Sequence, residues 1–157
     1  VSAPFFNPEQ AARWMQGNES AVDFLRIAFR VAHLWDDLID RDKVLGDDDV
    51  NAGMFDALVR LPRNAFYRVN FDALNPILAN AITNWQVATE LERSGGKAGR
   101  RTAYALRAAY LDLVSHAALL IGGPQWARQV GVEVRQLAEP YGEYLINLEA
   151  ELAARGE

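Results

Sequence analysis

Cysteine is absent from the 157-residue chain. That excludes a disulfide scaffold, a cysteine-ligated zinc or iron–sulfur centre and a thiol nucleophile, and is neutral on compartment. No apolar run of about 18 residues stands out, so a membrane span is not expected. No stretch of strand length alternates apolar and polar residues between turn signals, so no β-sheet is expected either. Positive charge is in short supply: 16 lysines and arginines face 21 acids, for a formal net charge of −5. This balance argues against nonspecific nucleic-acid binding, and no arginine–aromatic stripe offers bases a stacking surface. Half of the residues are apolar and 24% are charged, enough for one domain with a real core and too apolar for wholesale disorder. A soluble, cytoplasmic protein is the expectation.

Alanine, leucine, arginine and glutamate dominate, and these favour helix. Asn7-Pro8 has the form of an N-cap followed by proline at the first helical position, and Gly17 ends that short helix. Long helices are expected near 20–41, 76–93, 98–121 and 124–154, with Pro140 kinking or splitting the last. Asn75-Pro76 opens the second of these, and Gly122-Gly123-Pro124 separates the third from the fourth. A shorter helix follows the acidic turn Leu45–Asn51 and runs over 50–61. Residues 62–71 show no period and read as a packed loop. The sum is an all-α fold, a single-domain antiparallel helical bundle of five to seven helices spanning 1–157.

The strongest chemical signal is Ala-His-Leu-Trp-Asp-Asp-Leu-Ile-Asp in the 20–41 helix. At about 100° per residue, His33, Asp36, Asp37 and Asp40 project from one face over two turns. Leu38 and Ile39 fall on the apolar arc. Carboxylates one turn apart suit a hard divalent ion such as magnesium, and a histidine in the row favours manganese, iron or zinc. The plainer account is a solvated helix face. Against it, Asp36 and Asp40 are like charges at i, i+4 in the negative half of the helix dipole.

Trp-Asp-Asp-Leu-Ile-Asp resembles the first aspartate-rich motif, D-D-x-x-D, of class I isoprenyl diphosphate synthases and related terpenoid synthases. The resemblance spans about ten residues within an all-helical background. It implies that Asp36, Asp37 and Asp40 are the counterparts of acids that hold magnesium on a diphosphate. The family's second acidic motif has no D-D-x-x-D counterpart here. The nearest substitutes are Asn84 with Glu92, or Glu143, Asn147 and Glu151.

Two further groups are candidates. Asp112 and His116 lie one turn apart on a helix that is otherwise apolar nearly all round, where a buried carboxylate needs a partner. On a functional reading they are expected to face the acidic row, which would make a metal site completed by Glu143 or Glu139. The plainer account is a core histidine bonded to Asp112 or Arg30. The Ser94–Thr102 turn places Lys97, Arg100 and Arg101 at a helix start, where free backbone N–H groups suit a phosphate. It is not a Walker A loop, and the plainer account is a soluble connection. Two functions from different classes follow. One is a magnesium- or manganese-dependent enzyme acting on a diphosphate-containing small molecule. The other is a non-catalytic accessory or viral protein working by self-association, as a homo-oligomer, or by binding a partner.

Overall fold

The computed structural model describes residues 6–41 and 43–156. The ends of the expected 1–157 domain, and Asp42, lie outside the described residues. The fold is all-α, with no strand among the described residues. Its helices are α1 (Pro8–Trp14), α2 (Glu19–Asp40), α3 (Asp47–Phe55), α4 (Leu61–Arg63), α5 (Ala65–Val69), α6 (Phe71–Ser94), α7 (Gly96–Arg107), α8 (Asp112–Gln136) and α9 (Tyr141–Arg155). A π-helical turn, Asp56–Arg60, joins α3 to α4, and a 3₁₀ turn, Ala108–Leu111, joins α7 to α8.

Local capping sets the first two starts. The Asn7 side chain accepts from the Gln10 amide and the Asn18 side chain from the Ala21 amide, each satisfying an orphan N–H. Helix α2 ends at Arg41 in the left-handed conformation. Elsewhere tertiary contacts win. Residues 62–71 are not a loop: α4 and α5 occupy them. Asn64 accepts from the Tyr67 amide while donating to the Ser20 carbonyl, and Ser20 Oγ accepts from the Phe66 amide. Helix α6 starts at Phe71, upstream of Asn75-Pro76, because the Asn70 carbonyl accepts from Ala73 and Leu74. Asn75 spends its amide on the Tyr67 hydroxyl instead of capping. Pro76 then sits inside the helix.

The helix expected over 98–121 is divided. Helix α7 ends at Arg107, the 3₁₀ turn tightens the chain, and the Arg135 guanidinium takes the Ala108 carbonyl at 2.8 Å. Helix α8 runs on through Gly122-Gly123-Pro124 with one break, at Gly123 (φ 84°, ψ −178°), a backbone conformation that glycine alone adopts readily. Pro140 separates α8 from α9. Gly99 of the basic turn serves packing: a Cβ there would meet the Leu91 carbonyl oxygen at 2.9 Å, so α7 lies backbone to backbone against α6.

Phe24, Leu25 and Ala28 of α2, Leu74, Ala81 and Trp85 of α6, and Leu113, Val114, Ala117 and Ala118 of α8 form the main core, with α1 and α5 packed around them. The first half of α8 is thus the buried helix that the sequence marks. The stretch Gly96–Gln136 is long and apolar enough to cross a membrane by length and composition, which corrects the expectation of no such run. Leu113, Val114, Ala117 and Ala118 of that stretch lie in this core. A second, smaller cluster of Tyr144, Leu148 and Leu152 packs α9 against α7 through Tyr104.

Candidate functional site

The acidic row of α2 splits. Asp36 and Asp40 turn into the protein, 4% and 6% exposed, while Leu38 and Ile39 face outward at 46% and 37%. In the last turn the expected sides are reversed, while Trp35 still packs against the core. Asp37 is held by the Lys43 ammonium at 2.6 Å, and His33 is half-buried.

Elements packed over the acids bring charged side chains near them. Arg107 of α7 is buried and donates to both oxygens of Glu92 of α6, from Nε at 2.9 Å and Nη2 at 2.5 Å. Nη2 also reaches Thr89 Oγ1 at 3.1 Å. The Tyr144 hydroxyl of α9 donates to the same Glu92 at 2.7 Å. Arg155, in the last turn of α9, donates to the Ile39 carbonyl at 2.7 Å and stands 3.6 Å from Asp40. Two of the acids noted as distant substitutes for a second motif, Glu92 and Glu151, therefore lie near the row.

Burial is the larger reason that Asp36 is pushed up to about 8, with the neighbouring Asp40 charge second. Glu151 is raised by burial, assisted by Asp40 and Glu92. For Arg107, burial opposes the charge, but the hydrogen bonds and charge of Glu92 and the charges of Asp40 and Asp36 outweigh it, and its value rises. Tyr110 is raised, first by burial and then by Asp36. Asp36 Oδ1, the Tyr110 hydroxyl, Trp85 Nε1 and Arg107 Nη1 are buried without a hydrogen-bond partner among the described residues.

Next to this cluster, α2 and α6 leave a groove divided by two indoles, Trp35 and Trp85, whose ring centroids are 5.5 Å apart. On one side is an apolar chamber of about 290 Å³, lined by Ala28, Val31, Ala32, Leu78, Ala81, Ile82, Tyr110 and Leu113. On the other is a polar cavity of about 630 Å³, lined by Leu38, Ile39, Arg41, Gln86, Thr89, Glu90, Arg93 and Arg155. Both Trp35 and Trp85 line both spaces. The small side chains Ala28, Ala32 and Ala81 open the chamber, and three guanidinium groups border the cavity.

The other sequence candidates are not drawn in. Asp112 pairs with Arg135 at 2.6 Å on the surface, with 44% of its side chain exposed, so it is neither buried nor bonded to His116. Arg30 is engaged by Asp56, at 2.8 Å. His116 is half-buried and Glu143 is exposed. Lys97 and Arg101 are exposed on α7, which already begins at Gly96, and Arg100 lies 3.6 Å from Glu149. Among the described residues no three histidines, aspartates or glutamates gather to hold a metal ion. Within the row, Asp37 is paired with Lys43 while Asp36 and Asp40 are buried. The residues that sequence reasoning missed are Arg107, Arg155, Trp85 and Tyr110. Arg107, a lone cation in Ala-Leu-Arg-Ala-Ala-Tyr-Leu, carried a readable signal, because a charge in an apolar helix needs a buried partner. No family model, curated protein or solved structure matches the chain.

Proposed function

We propose that this chain binds a small amphipathic anion in the groove between α2 and α6. The apolar tail lies in the chamber and a phosphate or diphosphate head in the arginine-bordered cavity. The observation that carries this reading is the shared Trp35–Trp85 wall: one apolar space and one cationic space meet at the same two side chains. Their volumes suit a small ligand, and guanidinium forks match phosphate oxygens in pairs. The head recognition rests on Arg41, Arg93 and Arg155 rather than on Lys97, Arg100 and Arg101.

Tryptophan fluorescence titration with octyl phosphate, pyrophosphate and octanol tests this. Octyl phosphate is expected to bind more tightly than either fragment, by roughly fourfold for each methylene that the chamber buries. Ala32→Phe removes the advantage of the tail, and Arg93→Ala weakens octyl phosphate and pyrophosphate alike. Equal affinity for octyl phosphate and pyrophosphate, or no binding of either, overturns the reading. Repeating the titration with magnesium or manganese addresses the metal-dependent enzyme. Metal-enhanced binding that is lost in Asp36→Asn/Asp40→Asn would support it.

A second reading, action through a protein partner or a second copy, draws on the exposed apolar side chains of the 54–71 segment. Met54, Phe55, Leu58, Val69 and Phe71 are all about half exposed or more. Concentration-dependent sedimentation that Leu58→Glu/Val69→Glu abolishes supports it, and a monomer at every concentration removes the self-association form.

A further inference from the structure

We infer that α9 is a hinged strap over the buried acid cluster, and that Arg155 is its latch. The helix is joined to α8 through the non-helical residues 137–140. Its apolar side chains, Tyr144, Leu148 and Leu152, form a cluster separate from the main core. A unit with its own small apolar contact opens at lower free energy than the core it covers. The hinge end is anchored, with Tyr104 donating its hydroxyl to the Glu139 carbonyl at 2.6 Å and Asn147 donating to the Glu139 carboxylate at 2.6 Å. At the far end the Arg155 guanidinium crosses to α2, taking the Ile39 carbonyl and facing Asp40.

Arg155 belongs to two structures at once. It closes α9 onto α2, and it lines the polar cavity. Its side chain is 19% exposed, and a guanidinium has five N–H donors, more than the Ile39 bond uses, so the fork holds donors in reserve. An anion accepting from that fork while Ile39 keeps its bond ties α2, α9 and ligand together. Ligand occupancy then holds the strap closed. This coupling rests on the groove reading; the latch itself does not.

Hydrogen exchange on the full chain separates the two. Without any ligand, amides 144–152 are expected to exchange earlier than those of α6 and the first half of α8. Arg155→Ala speeds them by roughly tenfold, the effect of losing one charge-assisted hydrogen bond, and leaves the core amides unchanged. Arg155→Lys, which keeps the charge without the fork, falls between. Exchange of α9 in step with the core in all three proteins overturns the latch. With saturating octyl phosphate, α9 exchange slows in the parent and not in Arg155→Ala. Binding that leaves α9 exchange unaltered overturns the coupling. Failure of octyl phosphate to bind removes the groove reading instead, and the ligand-free comparison still decides the latch.

Discussion

A carboxylate in a low-dielectric interior keeps its proton unless a cation answers it. Asp36 is such a group, and its pH linkage has a definite sign. Folded, it is pushed up to about 8, well above the usual carboxylate range. Between that range and this value the folded chain binds a proton that the unfolded chain has lost, so this group's contribution to stability falls as pH rises from about 4 to 8. Asp36→Asn carries no such loss. The variant is expected to gain in melting temperature over the parent as pH goes from 5 to 9, by several degrees at the alkaline end. A difference that stays constant with pH contradicts the assignment. The Glu92–Arg107 pair behaves differently, because both charges are buried and mutually bonded. Arg107→Met leaves Glu92 uncompensated and is expected to cost roughly 3–5 kcal/mol in urea unfolding. Glu92→Leu/Arg107→Met should cost far less than the single change, since no lone charge remains. If the double variant is as unstable as the sum of the two singles, the pair is not energetically coupled.

At the scale of elements, the α6–α7 contact makes a sharp pair of predictions about glycine. A methyl group on Gly99 has the Leu91 backbone carbonyl in its way, which cannot swing aside like a side-chain end. Gly99→Ala is therefore expected to destabilise by roughly 1–3 kcal/mol, the range for overpacking. Gly142 lies in the first turn of α9 with nothing within 4 Å of its Cβ position. Gly142→Ala should be neutral or stabilising by up to about 1 kcal/mol, through helix propensity alone. Thermal melts of the two variants side by side check both. The same elements show what local chemistry can announce. Asn7-Pro8, Asn18 and Pro140 act through their own backbone and the next turn, and each marks a boundary that the fold keeps, while Gly123 breaks α8 without ending it. Asn75-Pro76 has the same form as Asn7-Pro8 but marks no start, because Asn70 begins the helix first and Tyr67 engages Asn75. The helical turns over 62–71 depend on Ser20, which is remote in sequence.

For the whole molecule, the groove reading predicts a linked gain in stability. Octyl phosphate at about 100 times its Kd should add ~2.7 kcal/mol, which raises the melting temperature by roughly 5–10 °C. Ala32→Phe should abolish the shift while leaving the unliganded melt close to that of the parent. An unaltered shift in that variant places the tail elsewhere. What the sequence by itself determined is the all-α class, the starts of the first two helices, the division at Pro140, the buried first half of α8 and the presence of two acids one turn apart on α2. These follow from capping, periodicity and composition, which act over a few residues. Only the tertiary structure decided which way those acids face. Periodicity assigned Leu38 and Ile39 to the interior, yet Asp36 and Asp40 occupy it, Asp40 facing Arg155 of α9 and Asp36 holding its proton under the packed helices. The free energy of a buried charge depends on partners brought from remote parts of the chain, and no spacing along a single helix encodes their arrival.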